Sequence, residues 1–203
     1  SEPVSISITG TSFDGDAAPD TIETFDYTSS TLTATVITRD DTAMDGVTIT
    51  ASDNSHTTDS SGQLSFEVSN GSDVVMDASF AIDDSATSAI NSMDALQALR
   101  IAVGLDTSNG PATYEDFIAA DIDGSGSVNS MDALNILKYA VGLDAPDPHW
   151  VFIDSAADHS AIKQTSVNYD TGMTLEGFSA DASVSLTGIL VGDIDDSYSG
   201  LIA

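Results

Sequence analysis

Asp121, Asp123, Ser125, Ser127 and Asp132 are spaced as the oxygen donors of one twelve-residue loop. In the run from Asp121 to Asp132, oxygen side chains fall at positions 1, 3, 5 and 12, glycine (Gly126) at position 6, and the carbonyl of Ser127 at position 7. Alternate residues of a tight loop turn toward one centre, so this spacing surrounds a hard cation with oxygen, which suits calcium. Gly126 permits the sharp bend, Val128 at position 8 faces inward, and Asp132 on the first turn of a helix offers a carboxylate that can bind through both oxygens.

The helix that follows is repeated. Asn91 to Asp106 recurs 38 residues later as Asn129 to Asp144, with twelve of sixteen positions identical. The loop ahead of the first copy places Asp83, Ser85, Thr87 and Asp94 at positions 1, 3, 5 and 12, but Ser88 stands where the glycine should be. It is read either as a weak calcium site or as a metal-free structural copy. Further on, Asp193, Asp195 and Ser197 have the spacing of a loop's first half and no position 12 after them. Either a partner segment completes this half-loop or it is a solvated turn. The clusters Asp14-Gly15-Asp16 and Asp40-Asp41-Asp45 read as turns.

Composition supports the same chemistry. The 203 residues carry 33 acidic and 4 basic side chains, a formal net charge of −29, and 28 of the acids are Asp. Surface solvation alone would draw on Glu as readily, whereas short Asp carboxylates among Ser, Asn and Gly are what tight oxygen-ligand loops use; adaptation to salt is the other reading. So few cations exclude nucleic acid as a partner, because a phosphate backbone needs clustered Lys and Arg, and argue against an anionic membrane surface. No run approaches the roughly 20 apolar residues of a membrane span. With no cysteine there are no disulfides and no thiolate chemistry. An Asp-, Ser- and Thr-rich chain of this kind is expected outside a prokaryotic cell or on its surface.

The elements that must position these residues are of two kinds. Residues 1–80 alternate apolar and polar side chains at Val4-Ile6-Ile8, Leu32-Ala34-Val36, Val47–Ala51, Leu64–Val68 and Val74–Phe80, with Asp-Gly, Ser-Gly and Asn-Gly turns between them. That pattern predicts a small β-sandwich. Residues 81–145 hold the repeat: Leu96, Leu99 and Val103, and again Leu134, Leu137 and Val141, share one helical face. Gly104 and Gly142 stand where each helix should end. Thr113 and Asp116 form a capping box for a short helix between the copies, and the two repeated helices are expected to pack on each other. Residues 146–203 return to β at Trp150–Ile153 and Val184–Val191. They hold too few large side chains to fold alone and are expected to pack on another segment or subunit. The fold class is therefore α+β.

Two resemblances follow. The run Asp45-Gly46-Val47-Thr48-Ile49-Thr50, then Thr57-Thr58-Asp59 through Gly62 to Phe66, then Val74 to Ser79, resembles the carboxypeptidase-regulatory or prealbumin-like β-sandwich, which implies a spacer. The duplicated loop and helix of residues 81–145 resemble a dockerin. That resemblance implies calcium at both loops and a contact face for a cohesin-like domain at Ser92, Met93, Leu99 and Arg100 and at Ser130, Met131, Leu137 and Lys138. Two of the four basic residues occupy equivalent places on this face.

His56, His149 and His159 stand apart with no metal-binding spacing, and no serine carries a nucleophile motif. The expectation is a non-enzymatic extracellular calcium-binding protein that joins proteins. It would associate with its own subunits into a fibre, sheath or layer. The alternatives are a cohesin-like partner, or an accessory role beside a polysaccharide-degrading domain.

Overall fold

A computed structural model describes residues 28–52 and 54–198. The Val4-Ile6-Ile8 run, the Asp14-Gly15-Asp16 cluster, and Ser199 and Gly200 lie outside the described residues. Alternation of Thr or Ser with apolar residues makes β1 (Ser29–Thr38), which buries Leu32, Ala34, Val36 and Thr38 on one face. Then come β2 (Thr48–Ala51), β3 (Asn54–Thr57), β4 (Gln63–Ser69) and β5 (Ser72–Ser79). The polar β3 has no alternation of its own. It is a strand because it pairs antiparallel with β2, from Thr48↔Thr57 to Ala51↔Asn54.

Four helices follow: α1 (Asp84–Ala89), α2 (Ser92–Ala102), α3 (Tyr114–Ala120) and α4 (Ser130–Ala140). Thr113 and Asp116 cap α3 reciprocally, as their spacing predicts. Gly104 and Gly142, at φ 75° and 72°, take the left-handed conformation just past the ends of α2 and α4. The chain then forms β6 (Trp150–Asp154), β7 (Met173–Phe178) and β8 (Ala182–Leu190). No helix among the described residues is long and apolar enough to cross a membrane.

The strands assemble into two four-stranded sheets, in the orders β4-β1-β8-β6 and β3-β2-β5-β7. Each sheet takes strands from before and after the helices, so the described part of residues 146–203 packs on the first segment of the same chain. β8 lies parallel to β1 from Leu32↔Ala182 to Thr38↔Gly188, and antiparallel to β6. The two sheets share a buried cluster that includes Leu32, Val36, Ile49, Met76, Phe152 and Leu186. On the first sheet's other face, Val151, Ile153 and Ile189 join the helical core of Ala98, Ile101, Ile118 and Ile136. β8 is therefore covered on both faces over Leu186–Leu190, where every residue is buried, although its sequence alternates with Ser and Thr as far as Thr187.

The helix pair differs from expectation in which face is buried. α2 and α4 do pack together, but their buried apolar residues are Ala95, Ala98 and Ile101 with Ala133 and Ile136. Alanines let the backbones approach closely, and the isoleucines fill the space beneath. Leu96, Leu99 and Val103, with Leu134, Leu137 and Val141, are 41–64% exposed. Leu96, Leu99, Leu134 and Leu137 line a surface groove of about 360 Å³ along the seam between the two helices.

Candidate metal centres

The loop from Asp121 to Asp132 runs from the end of α3 to the first turn of α4. Its shape is set by carboxylates accepting from nearby amides. Asp121 Oδ1 accepts from the Ser125 amide (3.0 Å), and its Oδ2 from the Gly126 amide (2.9 Å). Asp132 Oδ2 accepts from the Asn129 amide (2.9 Å) in the capping box of α4. Ser125 Oγ reaches the Ser127 carbonyl (3.2 Å). Gly124 and Gly126 sit at φ 62° and 81°, where a side chain would be strained. Carboxylate oxygens of Asp121, Asp123 and Asp132 lie within 4.8 Å of one another.

This is a costly arrangement without a cation. Asp132 is fully buried, and its Oδ1 has no hydrogen-bond partner. Burial, and then the charges of Asp123 and Asp121, push its carboxyl up to about 6. Burial likewise raises Asp121, with the Asp123 charge adding to it. The ion pair among the described residues is Arg39–Asp116, so no basic side chain there balances these acids through a salt bridge. The donor set is all oxygen, three carboxylates with a hydroxyl and a carbonyl, and fits calcium.

A second centre is built from two distant pieces of chain. Carboxylate oxygens of Asp94, Asp193 and Asp195 also lie within 4.8 Å of one another. Asp193 repeats the contacts of Asp121: its Oδ1 accepts from the Ser197 amide (3.0 Å), and its Oδ2 from the Tyr198 amide (2.9 Å). Ser197 Oγ reaches the Ala89 carbonyl at 3.2 Å, as Ser125 reaches that of Ser127. The Asn91 side-chain amide donates to the same Ala89 carbonyl, as Asn129 donates to Ser127. Asp94 Oδ2 accepts from the Asn91 amide, matching Asp132 and Asn129. Asp196 takes the left-handed place of Gly124, at φ 57°, a conformation Asp tolerates better than most residues. Ile194 and Ile90 are buried where Ile122 and Val128 are buried in the other loop. Residues 193–198 thus match positions 1 to 6 of the loop from Asp121 to Asp132, and residues 89–94 match its positions 7 to 12.

The electrostatics match as well. Asp94 is fully buried and Asp193 is 2% exposed. Burial, with the charge of Asp195 added, raises Asp94 to about 6; burial, with the charge of Asp94 added, raises Asp193 to about 7. Asp195 Oδ1 is buried without a partner.

Two sequence expectations are corrected here. Asp83, Ser85 and Thr87 do not gather around Asp94. Asp83 caps α1 by accepting from the Ala86 amide (2.8 Å), Thr87 Oγ1 donates to the Asp84 carbonyl (2.9 Å), and all three residues are exposed. Without a glycine at Ser88, this stretch winds into helix instead of bending round an ion. The half-loop at Asp193, Asp195 and Ser197 is not a solvated turn: a partner segment does meet it, and that segment is residues 89–94 of the same chain rather than part of a neighbouring subunit.

Sequence reasoning missed Arg39. Its guanidinium pairs with Asp116 on α3 and donates to the carbonyls of Asp193 (3.2 Å) and Ile194 (3.3 Å), fixing the half-loop against the helices. One of only four basic residues in so acidic a chain was the available signal.

The residues expected to meet a partner lie at the surface. Ser92, Met93, Leu99, Ser130, Met131 and Leu137 are exposed, and Arg100 and Lys138 are half-buried beside them. Leu96, Val103 and Leu105, with Leu134, Val141 and Leu143, extend this face and were not foreseen as part of it. Two of the histidines pack on aromatic rings, His56 on Phe66 and His159 on Tyr114, while His149 is exposed. No protein-family model, no curated protein and no solved structure matches this chain.

Proposed function

We propose that this protein is a non-enzymatic, extracellular calcium-binding module that joins proteins, with one ion in the loop from Asp121 to Asp132 and one in the loop assembled from residues 89–94 and 193–198. The observation that carries this reading is the unpartnered Oδ1 of fully buried Asp132, facing Asp121 and Asp123. A buried carboxylate oxygen without a donor is costly, and a divalent cation satisfies it and its neighbours together. Calcium suits flexible all-oxygen sites better than magnesium, which dehydrates reluctantly. Its concentration outside cells also favours loading there.

The face that meets the partner is the exposed row on α2 and α4, from Met93 to Leu105 and from Met131 to Leu143. Contiguous exposed apolar surface of this kind marks an interaction site, and Arg100 and Lys138 place two of the chain's four cations beside it. The resemblance to dockerins supports a second protein as the occupant, with the paired sheets as a prealbumin-like spacer.

Isothermal titration calorimetry with calcium and with magnesium tests the metal reading. Two equivalents of calcium bound well ahead of magnesium support it, and no calcium binding overturns it. Association with the protein's own kind is the second reading, favoured by the same apolar face. Large polymers in calcium that dissolve in chelator, seen by light scattering, would establish it in place of a separate partner.

A further inference from the structure

We propose that the paired sheets form a force-bearing link in which tension across the body shears β8 along β1. The two strands are parallel, in register from Leu32↔Ala182 to Thr38↔Gly188. The chain therefore enters β1 at one end of this ladder and leaves β8 at the other. A pull between residues 28 and 198 acts along the strands and loads every bond of the ladder together. A pull on two strand ends at the same end of a ladder would instead open its bonds one at a time.

The two loaded strands are also the inner strands of their sheet. β1 is paired on its other side with β4, from Ser29↔Ser69 to Thr35↔Gln63, and β8 with β6, from Trp150↔Leu190 to Asp154↔Leu186. Leu32, Ala34, Val36, Leu186 and Ile189 are fully buried, so a slip of one residue would drive Thr and Ser side chains into the core.

Beyond β8 the chain is fastened again at residues 192–195. Gly192 donates to the Ala119 carbonyl (2.8 Å), Arg39 holds the carbonyls of Asp193 and Ile194, and the amides of Ile194 and Asp195 donate to Asp94. With calcium bound, a pull on residue 198 reaches α2 through Asp94 before it reaches β8. This lock rests on the calcium reading proposed above, whereas the shear geometry does not.

Single-molecule pulling tests both parts. The chain has no cysteine, so thiol handles can be placed singly. One handle at residue 1 is combined with a second at residue 203, which shears the ladder, or at Ala180→Cys, an exposed site from which the ladder opens end first. In calcium, the unfolding force in the first geometry should be roughly double that in the second, because forced unfolding follows the barrier along the pulling direction. Equal forces overturn the clamp. In the first geometry, chelator or Asp94→Asn should add an early, low-force release of the segment after β8. If calorimetry shows calcium bound and chelator still leaves the force trace unchanged, the lock is overturned. If calorimetry shows no calcium bound, the metal reading fails while the force ratio still judges the clamp.

Discussion

The backbone amide of Ile194 donates to Asp94 Oδ1 at 2.9 Å, across one hundred residues of sequence. The neighbouring Asp195 amide donates to the same oxygen at 3.2 Å, whereas the matching oxygen of Asp132 has no donor in the contiguous loop. Each Asp on the first turn of a repeated helix therefore receives a half-loop, one from the residues just before it and one from the segment that follows β8.

Substitutions should separate the two centres. Asp94→Asn and Asp193→Asn should each weaken the same calcium equivalent by about 100-fold, through the loss of one carboxylate charge, and leave the other equivalent intact. Asp132→Asn should do the reverse. Trp150 is the single tryptophan, and its ring meets that of Tyr198 edge-on at 5.2 Å. Its fluorescence should follow calcium at the split centre, so the signal should vanish in Asp193→Asn and persist in Asp132→Asn. A signal lost equally in both variants would contradict separate centres.

The buried carboxylates set a pH dependence of defined sign. Asp94 and Asp132 are raised to about 6, and Asp193 to about 7, from an ordinary value of 3.8. Between the ordinary value and these raised ones, the calcium-free fold holds more protons than the unfolded chain, so its stability falls as pH rises through that window. Thermal melts in chelator should give a higher midpoint at pH 5 than at pH 8. Calcium should remove or reverse that difference, because the ion replaces the protons and releases them on binding. A chelated midpoint that is flat or rises with pH would contradict this account.

Arg39→Met should destabilise the fold by about 3 kcal/mol, since it strands Asp116 as a largely buried, uncompensated charge. Adding Asp116→Asn to Arg39→Met should recover part of that loss, because the stranded charge is then gone. Urea denaturation of the two variants reads the difference. Equal stabilities would show that the ion pair matters little and that the bonds to the Asp193 and Ile194 carbonyls carry the effect.

Leu96→Glu and Leu134→Glu alter residues that are about half exposed. Each should shift folding stability by no more than about 0.5 kcal/mol while abolishing association through the helix face, whether with a partner or with another copy. Melting curves and light scattering on the same samples check both halves of this prediction. A large loss of stability would place these leucines in the core instead.

Local features were legible in the sequence because their causes are local. The gathering of Asp121, Asp123 and Asp132 follows from their spacing around Gly126. The cap of α3 follows from Thr113 and Asp116, and β1 follows from its alternation. What could not be read depends on residues far apart in the chain. Asp193 and Asp195 spell half a loop, but nothing in their spacing names Asp94 as the other half. The burial of β8 on both faces is not legible either, because Ala182–Thr187 alternates with Ser and Thr as a one-sided strand does, and nothing in it names β1 and β6 as its neighbours. The helix pair misled for a different reason. Large leucines mark a face by hydrophobicity, whereas Ala95, Ala98 and Ala133 are buried because small side chains permit close backbone approach.

The split loop also has a consequence for synthesis. Asp94 leaves the ribosome long before Asp193, and β1 waits longer still for β8. The loop from Asp121 to Asp132, by contrast, is complete as soon as its own helix emerges. A nascent chain can fill one centre early, but the other stays half-built until residues 193–198 have been made and threaded into place. Closure of that second centre then reports that synthesis has passed residue 198, and a chain cut short anywhere before Asp193 would lack both the Asp94–Asp193 cluster and the strand-end fastening that goes with it.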